Sequence, residues 1–284
     1  MLTQGRSIGL FVFLLGLLLG VPSRSAETQS RNVILSTTTS TQDSGLLDLL
    51  VPLFEKQSGY SVKTVSVGTG QALALAAKGD ADVALVHAPS LEKKYVSGGQ
   101  LQNRRLVMYN DFVIVGPKDD PARIRAVKST LAALKAIEQA KAAFVSRGDN
   151  SGTHTLEKSL WKEAGLQPNG PWYIESGQGM GASLNIANER NAYTITDRGT
   201  YLALGKRMNL PILVEGDRAL LNIYSVMEVN PANGPRVNAA GGKAFADFMV
   251  SPQAQNLIKD FGVEKFGQPL FVPVAHKREE ELGV

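Results

Sequence analysis

Hydrophobic positions along this chain switch repeatedly between two spacings. Val33-Ile34-Leu35 is a short continuous apolar run. It is followed by Leu46, Leu47, Leu50, Leu53 and Phe54 at helical spacing, with Gly59 as the stop. Pro52 sits inside that helical segment and predicts a kink or a break there. Ser61 to Val67 alternates as a strand, Gln71 to Lys78 reads as a short alanine-leucine helix, and Ala81 to Val86 as a second buried strand. A second series has helical segments at Thr130 to Lys141, Thr153 to Ala164 and Ala182 to Arg190. Strands at Ala143 to Val145, Tyr173-Ile174 and Tyr193 to Ile195 lie between and after them. Alternation of this kind predicts an α/β protein with mostly parallel sheets flanked by helices, in which ligands gather at the carboxyl ends of strands.

Two longer extended stretches, Arg105 to Pro117 (RLVMYNDFVIVGP) and Leu220 to Val229 (LLNIYSVMEV), bracket the second series. They predict paired crossings between two lobes. Lobe 1 is then 26–114 with 221–284, and lobe 2 is 115–220. Helices expected around Lys243 to Met249 and Pro252 to Phe261 return the tail to lobe 1. Ahead of all this, Arg6, an apolar run from Ile8 to Val21 and the small residues Pro22 to Ala26 have the layout of a secretory signal over 1–25, cleaved after Ser25. The run is shorter than the roughly 18 apolar residues that suggest a membrane span.

Composition narrows the compartment. The chain contains no cysteine, so it offers no disulfide framework, no thiolate zinc site and no lipid-carrying thiol next to the signal. A free periplasmic protein, monomeric and not a lipoprotein, is expected. The formal charge of +4 falls to about +2 once the two arginines of the signal are removed, so nothing points to nucleic acid.

Four loops, each between a strand and the next helix, share one chemistry. The first is STTTSTQDSG, Ser36 to Gly45, an unbroken run of hydroxyl residues as far as Thr41, with Asp43 or Ser44 able to cap the following helix. The second is SVGTGQ, Ser66 to Gln71, where Gly68 and Gly70 let backbone approach a ligand. The third, SRGDNSGTH, carries Arg147 ahead of a helix start at about Thr153. The fourth, ESGQGMG, is again glycine-rich. All four present unpaired N–H groups at helix amino termini, which favour anions. Many donors, few charges and no carboxylate pointing inward suit a small, fully deprotonated dianion.

Other chemistries fit less well. Neither glycine-rich loop spells the dinucleotide fingerprint, and no G-K-[ST] follows either of them. His87, His154 and His276 share no metal-type spacing, so no cation site is expected and the histidines are read as structural. Asp149, Ser151 and His154 have triad residue types without a G-x-S-x-G context, which leaves a secreted hydrolase as a minor alternative. An adhesion module is a second alternative, and it would tolerate loss of the threonine run.

STTTSTQDSG, VGTGQAL, VHAP at Val86 to Pro89, SRGDNSGTH, and SGQGMG followed by YTITDRGTY at Tyr193 to Tyr201 together resemble the tungstate-binding proteins of bacterial ABC importers. The resemblance runs through nearly the whole mature chain in order. It implies a type II periplasmic binding fold, no catalysis and no cofactor, with tungstate or molybdate as ligand and membrane permease subunits as partners. It also implies that Thr37, Thr38, Thr39, Ser40 and Arg147 line the oxyanion pocket. Thr69, Ser151, Thr153 and the backbone of Gly179, Met180 and Gly181 are added to that set. Related phosphate binders carry a similar R-x-D-x-S-G-T segment, which keeps phosphate open. Phosphate retains a proton at neutral pH and is best held by a site with an acceptor; Asp149 is either that acceptor or a turn residue facing out.

Overall fold

A computed structural model describes residues 1–2, 31–125, 127–204 and 207–282. The expected signal at 1–25 therefore lies almost wholly outside the described residues. β1 (Asn32–Thr38) runs straight into a short helix α1 (Thr39–Asp43), then α2 (Leu46–Ser58), β2 (Ser61–Val67), α3 (Thr69–Ala77), β3 (Val83–Val86) and α4 (Pro89–Ser97). A long strand β4 (Leu101–Val115) leads to α5 (Thr130–Ala140), β5 (Phe144–Ser146), α6 (Gly152–Glu163), β6 (Tyr173–Glu175) and α7 (Met180–Arg190). Then come β7 (Thr194–Asp197), α8 (Arg198–Leu204), β8 (Ile212–Val214), β9 (Leu221–Val229), α9 (Ala239–Met249), α10 (Pro252–Asp260), α11 (Val263–Phe266), β10 (Val272–Pro273) and α12 (Glu279–Leu282).

In the first sheet, β2, β1 and β3 lie side by side and parallel, as the alternation predicts. β9 and β4 then extend it antiparallel, and β10 closes the edge, so the sheet as a whole is mixed. β4 serves both lobes: from Leu101 to Asp111 it pairs with β9, and from Phe112 to Val115 it pairs with β7 and β8. β5 pairs in parallel with β6 and bridges to Tyr193 just ahead of β7. Where β4 passes from one sheet to the other, Asp111 takes two hydrogen bonds from Arg198 at 2.7 and 2.6 Å.

The apolar residues divide in the same way. Leu35, Leu50, Phe54, Leu85, Val226 and Phe245 belong to one core, and Ile114, Leu134, Phe144, Trp161, Tyr193 and Leu213 to another. α2 turns Leu46, Leu47, Leu50 and Phe54 inward and ends at Gly59, whose positive φ of 72° closes the last turn with an N–H bond to Glu55. Pro52 does not interrupt it. The residue is exposed, so the Asp48 carbonyl that loses its helical partner faces water instead of the core. No helix among the described residues is long and apolar enough to cross a membrane.

Candidate functional site

The carboxyl ends of β1, β5, β6 and β7 converge on one cleft of about 280 Å³. Six of the residues expected from the sequence line it together: Thr39, Ser40, Arg147, Gly179, Met180 and Gly181. Thr39 and Ser40 start α1, which the sequence reading took for loop. The N-cap of α2 is Gly45, not Asp43 or Ser44 as expected, although the Ser44 hydroxyl accepts the Leu46 N–H at 3.2 Å. Gly179 is the N-cap of α7 and no side chain caps that terminus, so the first backbone N–H groups of the helix, at Met180 and Gly181, lie on the cleft lining without a capping partner.

Behind Ser40 lies a chain of neutral groups. Thr38 Oγ1 accepts the Thr41 N–H at 3.2 Å and stands 2.6 Å from Thr41 Oγ1 and 3.2 Å from Ser40 Oγ. His87 Nε2 lies 3.2 Å from Thr38 Oγ1 and 3.3 Å from Ser40 Oγ. Burial lowers the His87 imidazole to about 4, so it is neutral at physiological pH, and its ring packs on Tyr224 at 4.7 Å. The Asn222 side chain, not a carboxylate, is its other polar neighbour, which makes Ser40 and His87 a poor nucleophile and base.

Opposite stands Arg147, buried to 7 % exposure. One guanidinium nitrogen donates to Asp149, and Nε is buried without a partner. Asp149 also accepts the Ser151 N–H at 3.1 Å; against the burial that pushes it up, the Ser151 bonds and the Arg147 charge hold its carboxyl below the usual range. It is not among the residues that line the cleft, and its carboxylate is bonded within its own loop, to Arg147 and to the Ser151 N–H. Beneath Arg147, Glu157 of α6 accepts from Ser146 Oγ at 2.8 Å, Trp161 Nε1 at 3.2 Å and Tyr173 Oη at 2.7 Å.

Several expected residues lie elsewhere. The Thr37 hydroxyl donates to the Leu85 carbonyl at 2.7 Å and is fully buried between strands. Ser151 caps α6, accepting the His154 N–H at 3.3 Å, and does not line the cleft. Thr69 and Thr153 are buried in the first turns of α3 and α6, just outside the lining. The triad reading fails on geometry, because His154 Nδ1 accepts the Asn150 N–H at 2.9 Å and does not face the Ser151 hydroxyl. Among the described residues no cluster of His, Cys, Asp and Glu is arranged to hold a metal ion.

Sequence reasoning missed Asp43, Asp197, Thr200 and Lys265, all on the cleft lining. Asp197 accepts from Thr200 through its N–H at 2.8 Å and its hydroxyl at 2.7 Å, while burial pushes its carboxyl above the ordinary range. The expectation of a cleft free of carboxylates is thereby corrected. D-R-G-T at Asp197 to Thr200 lies within the YTITDRGTY segment that carries the family resemblance, but no residue of that segment was assigned to the site. Lys265 comes from the four-residue helix α11, and no periodicity marks so short an element.

The sequence pattern of the PBP superfamily domain matches residues 24–253. The tungstate-binding protein TupA of Peptoclostridium acidaminophilum is 48 % identical over 254 residues, covering 88 % of this chain and 89 % of that protein. The solved structure of TupA from Desulfovibrio alaskensis G20 is 45 % identical with a TM-score of 0.77, covering 86 % of this chain and 99 % of its own. That of the tungstate ABC transporter protein from Geobacter sulfurreducens is 51 % identical with a TM-score of 0.73, covering 81 % of this chain and 98 % of its own.

Proposed function

This chain belongs to the PBP superfamily and, within it, to the tungstate-binding proteins of ABC importers, and from that premise we propose that it captures tungstate in the cleft and hands it to membrane permease subunits. The observation that carries the reading is the convergence on one small cleft of Ser40 from one lobe with Arg147 and the uncapped start of α7 from the other. A tetrahedral dianion there would receive a charge-assisted bond, backbone N–H groups at a helix terminus and oriented hydroxyls.

Nanomolar capture corresponds to about −12 kcal/mol. Charge-assisted bonds worth about 1.5–3 kcal/mol each reach that figure together with the helix terminus only when the donors are already in place. The Thr38–Thr41–His87 network supplies such pre-positioning. In this reading lobe 1 is 26–114 with 221–284 and lobe 2 is 115–220, and hinge motion about β4 and β9 closes them on the anion. The protein works in the periplasm as a monomer after loss of residues 1–25, with no cofactor and no reaction.

Asp197 supports one rival. An acceptor on the cleft lining suits an oxyanion that keeps a proton, such as hydrogen phosphate. Thermal shift with tungstate, molybdate, sulfate, phosphate and vanadate separates the readings, because stabilisation grows with [L]/Kd and reaches about 4.1 kcal/mol at a thousandfold excess. Tungstate and molybdate should raise the melting temperature, sulfate and phosphate far less. Stabilisation by phosphate alone, or by no anion in the series, would overturn the proposal.

A further inference from the structure

Gly152 is the first residue of α6, and its φ lies outside the left-handed region, so its backbone does not require glycine. It is the space around it that a side chain would crowd. A Cβ placed there would stand 3.0 Å from His87 Cε1, 3.4 Å from His87 Nδ1 and 3.2 Å from Thr69 Oγ1. At Gly68, Gly70 and Gly179 a Cβ would meet nothing within 4 Å. Gly152 therefore differs from the glycines of the other loops in that its neighbours belong to the opposite lobe.

Those neighbours have little room to give way. His87 is packed on Tyr224, with Nε2 within hydrogen-bond distance of Thr38 and Ser40, and Thr69 is buried at the start of α3. A methyl group at 152 must push α6 back, carrying the Arg147 loop with it, or push His87 against the hydroxyl that lines the cleft. We propose that Gly152 is a positioning residue of the anion site: the lack of a side chain lets the amino terminus of α6 seat against His87 and Thr69, bringing Arg147 within reach of the anion that Ser40 holds. The inference rests on the tungstate reading above.

The test is calorimetric titration of tungstate into the full mature chain and into Gly152→Ala, with thermal melts of both in the absence of ligand. The expected result is a tenfold or greater rise in Kd while the ligand-free melting temperature stays the same or increases. The double variant His87→Ala/Gly152→Ala should lose less affinity than the two single losses combined, because the ring that meets the methyl group is gone. Wild-type binding with an unchanged Kd in Gly152→Ala overturns the proposal alone, and so does strict additivity in the double variant. Absence of tungstate binding by the wild type overturns the functional reading and this proposal with it. If Gly152→Ala does not fold, the double variant must restore the fold; failure to do so counts against the clearance argument.

Discussion

Around Ser40 the cleft is built from neutral hydroxyls and an uncharged imidazole, whereas around Arg147 it is built from charge, a guanidinium bonded to the carboxylate of its own loop. Each side has a cleft-lining residue and a support beside it: Ser40 with Thr38 and His87 on one, Arg147 with the Ser146–Glu157 bond on the other. The difference implies a division of labour. On the proposed reading the charged side would supply most of the strength, through a guanidinium whose Nε has no partner and whose other end is bonded to Asp149. The neutral side would supply shape, its hydroxyls being held by one another, by His87 and by backbone.

The severest test of that division is removal of the guanidinium. Arg147→Ala should weaken tungstate binding by about 1.5–3 kcal/mol, roughly ten- to a hundredfold in Kd, as expected for one charge-assisted bond in a buried setting. Calorimetric titration reads this directly. An unchanged Kd would break the comparison, because the strength would then come from the hydroxyl side or from Lys265, which also lines the cleft.

The support beneath Arg147 is sensitive to pH. Burial raises the Glu157 carboxyl from 4.5 to about 6, against hydrogen bonds from Tyr173, Ser146 and Trp161 that pull it down. Between those two values the folded protein holds a proton that the unfolded chain has released, so stability from this group is full below 4.5 and declines as pH rises through 6. The difference amounts to about 2 kcal/mol at most, at roughly 1.36 kcal/mol per unit. Urea unfolding at several pH values should show this decline in the wild type and its absence in Glu157→Gln. Parallel pH profiles for the two proteins would remove Glu157 from the account.

These two sides were not equally legible in the sequence. The strand and helix order was readable because Leu46, Leu47, Leu50 and Phe54, or Ser61 to Val67, carry clear periods. α4 and α8 were missed: their apolar residues, Leu91, Tyr95 and Val96 in one and Tyr201, Leu202 and Leu204 in the other, are only partly buried and too few in so short a helix to set a clear period. Of the site, Arg147 and the α7 terminus could be read because one arginine and a glycine-rich turn each sit directly ahead of a helix, in segments that carry the family resemblance. The hydroxyl run was ambiguous at the level of single residues. Thr37 and Thr39 are neighbours of the same type, yet one faces the strand ladder and the other the cleft, and only the turn from β1 into α1 decides which. His87 and Asp197 lie in the VHAP and YTITDRGTY segments that carry the resemblance, but their places beside Ser40 and on the cleft lining come from tertiary packing, which spacing alone does not record.

Ser40→Ala sharpens the comparison from the neutral side. The hydroxyl lines the cleft within 3.3 Å of His87 Nε2, and a neutral hydrogen bond contributes about 0.5–1.5 kcal/mol. Tungstate affinity should drop by roughly three- to tenfold, less than for Arg147→Ala, with little change in ligand-free stability because the side chain is only partly buried. A loss equal to that of Arg147→Ala would mean that strength is shared evenly between the two sides.

Thr37→Val carries the smallest expected effect and is the most discriminating within the hydroxyl run. Valine keeps the shape of the buried side chain and removes only the donor to the Leu85 carbonyl, a bond of 2.7 Å between adjacent parallel strands. Folding stability should fall by about 1 kcal/mol, while tungstate affinity stays at the wild-type value. Urea denaturation and calorimetric titration measure the two quantities separately. A drop in affinity with stability intact would place Thr37 on the anion after all. The hydroxyl would then have to leave the Leu85 carbonyl when ligand enters, and the neutral side could no longer be regarded as preformed.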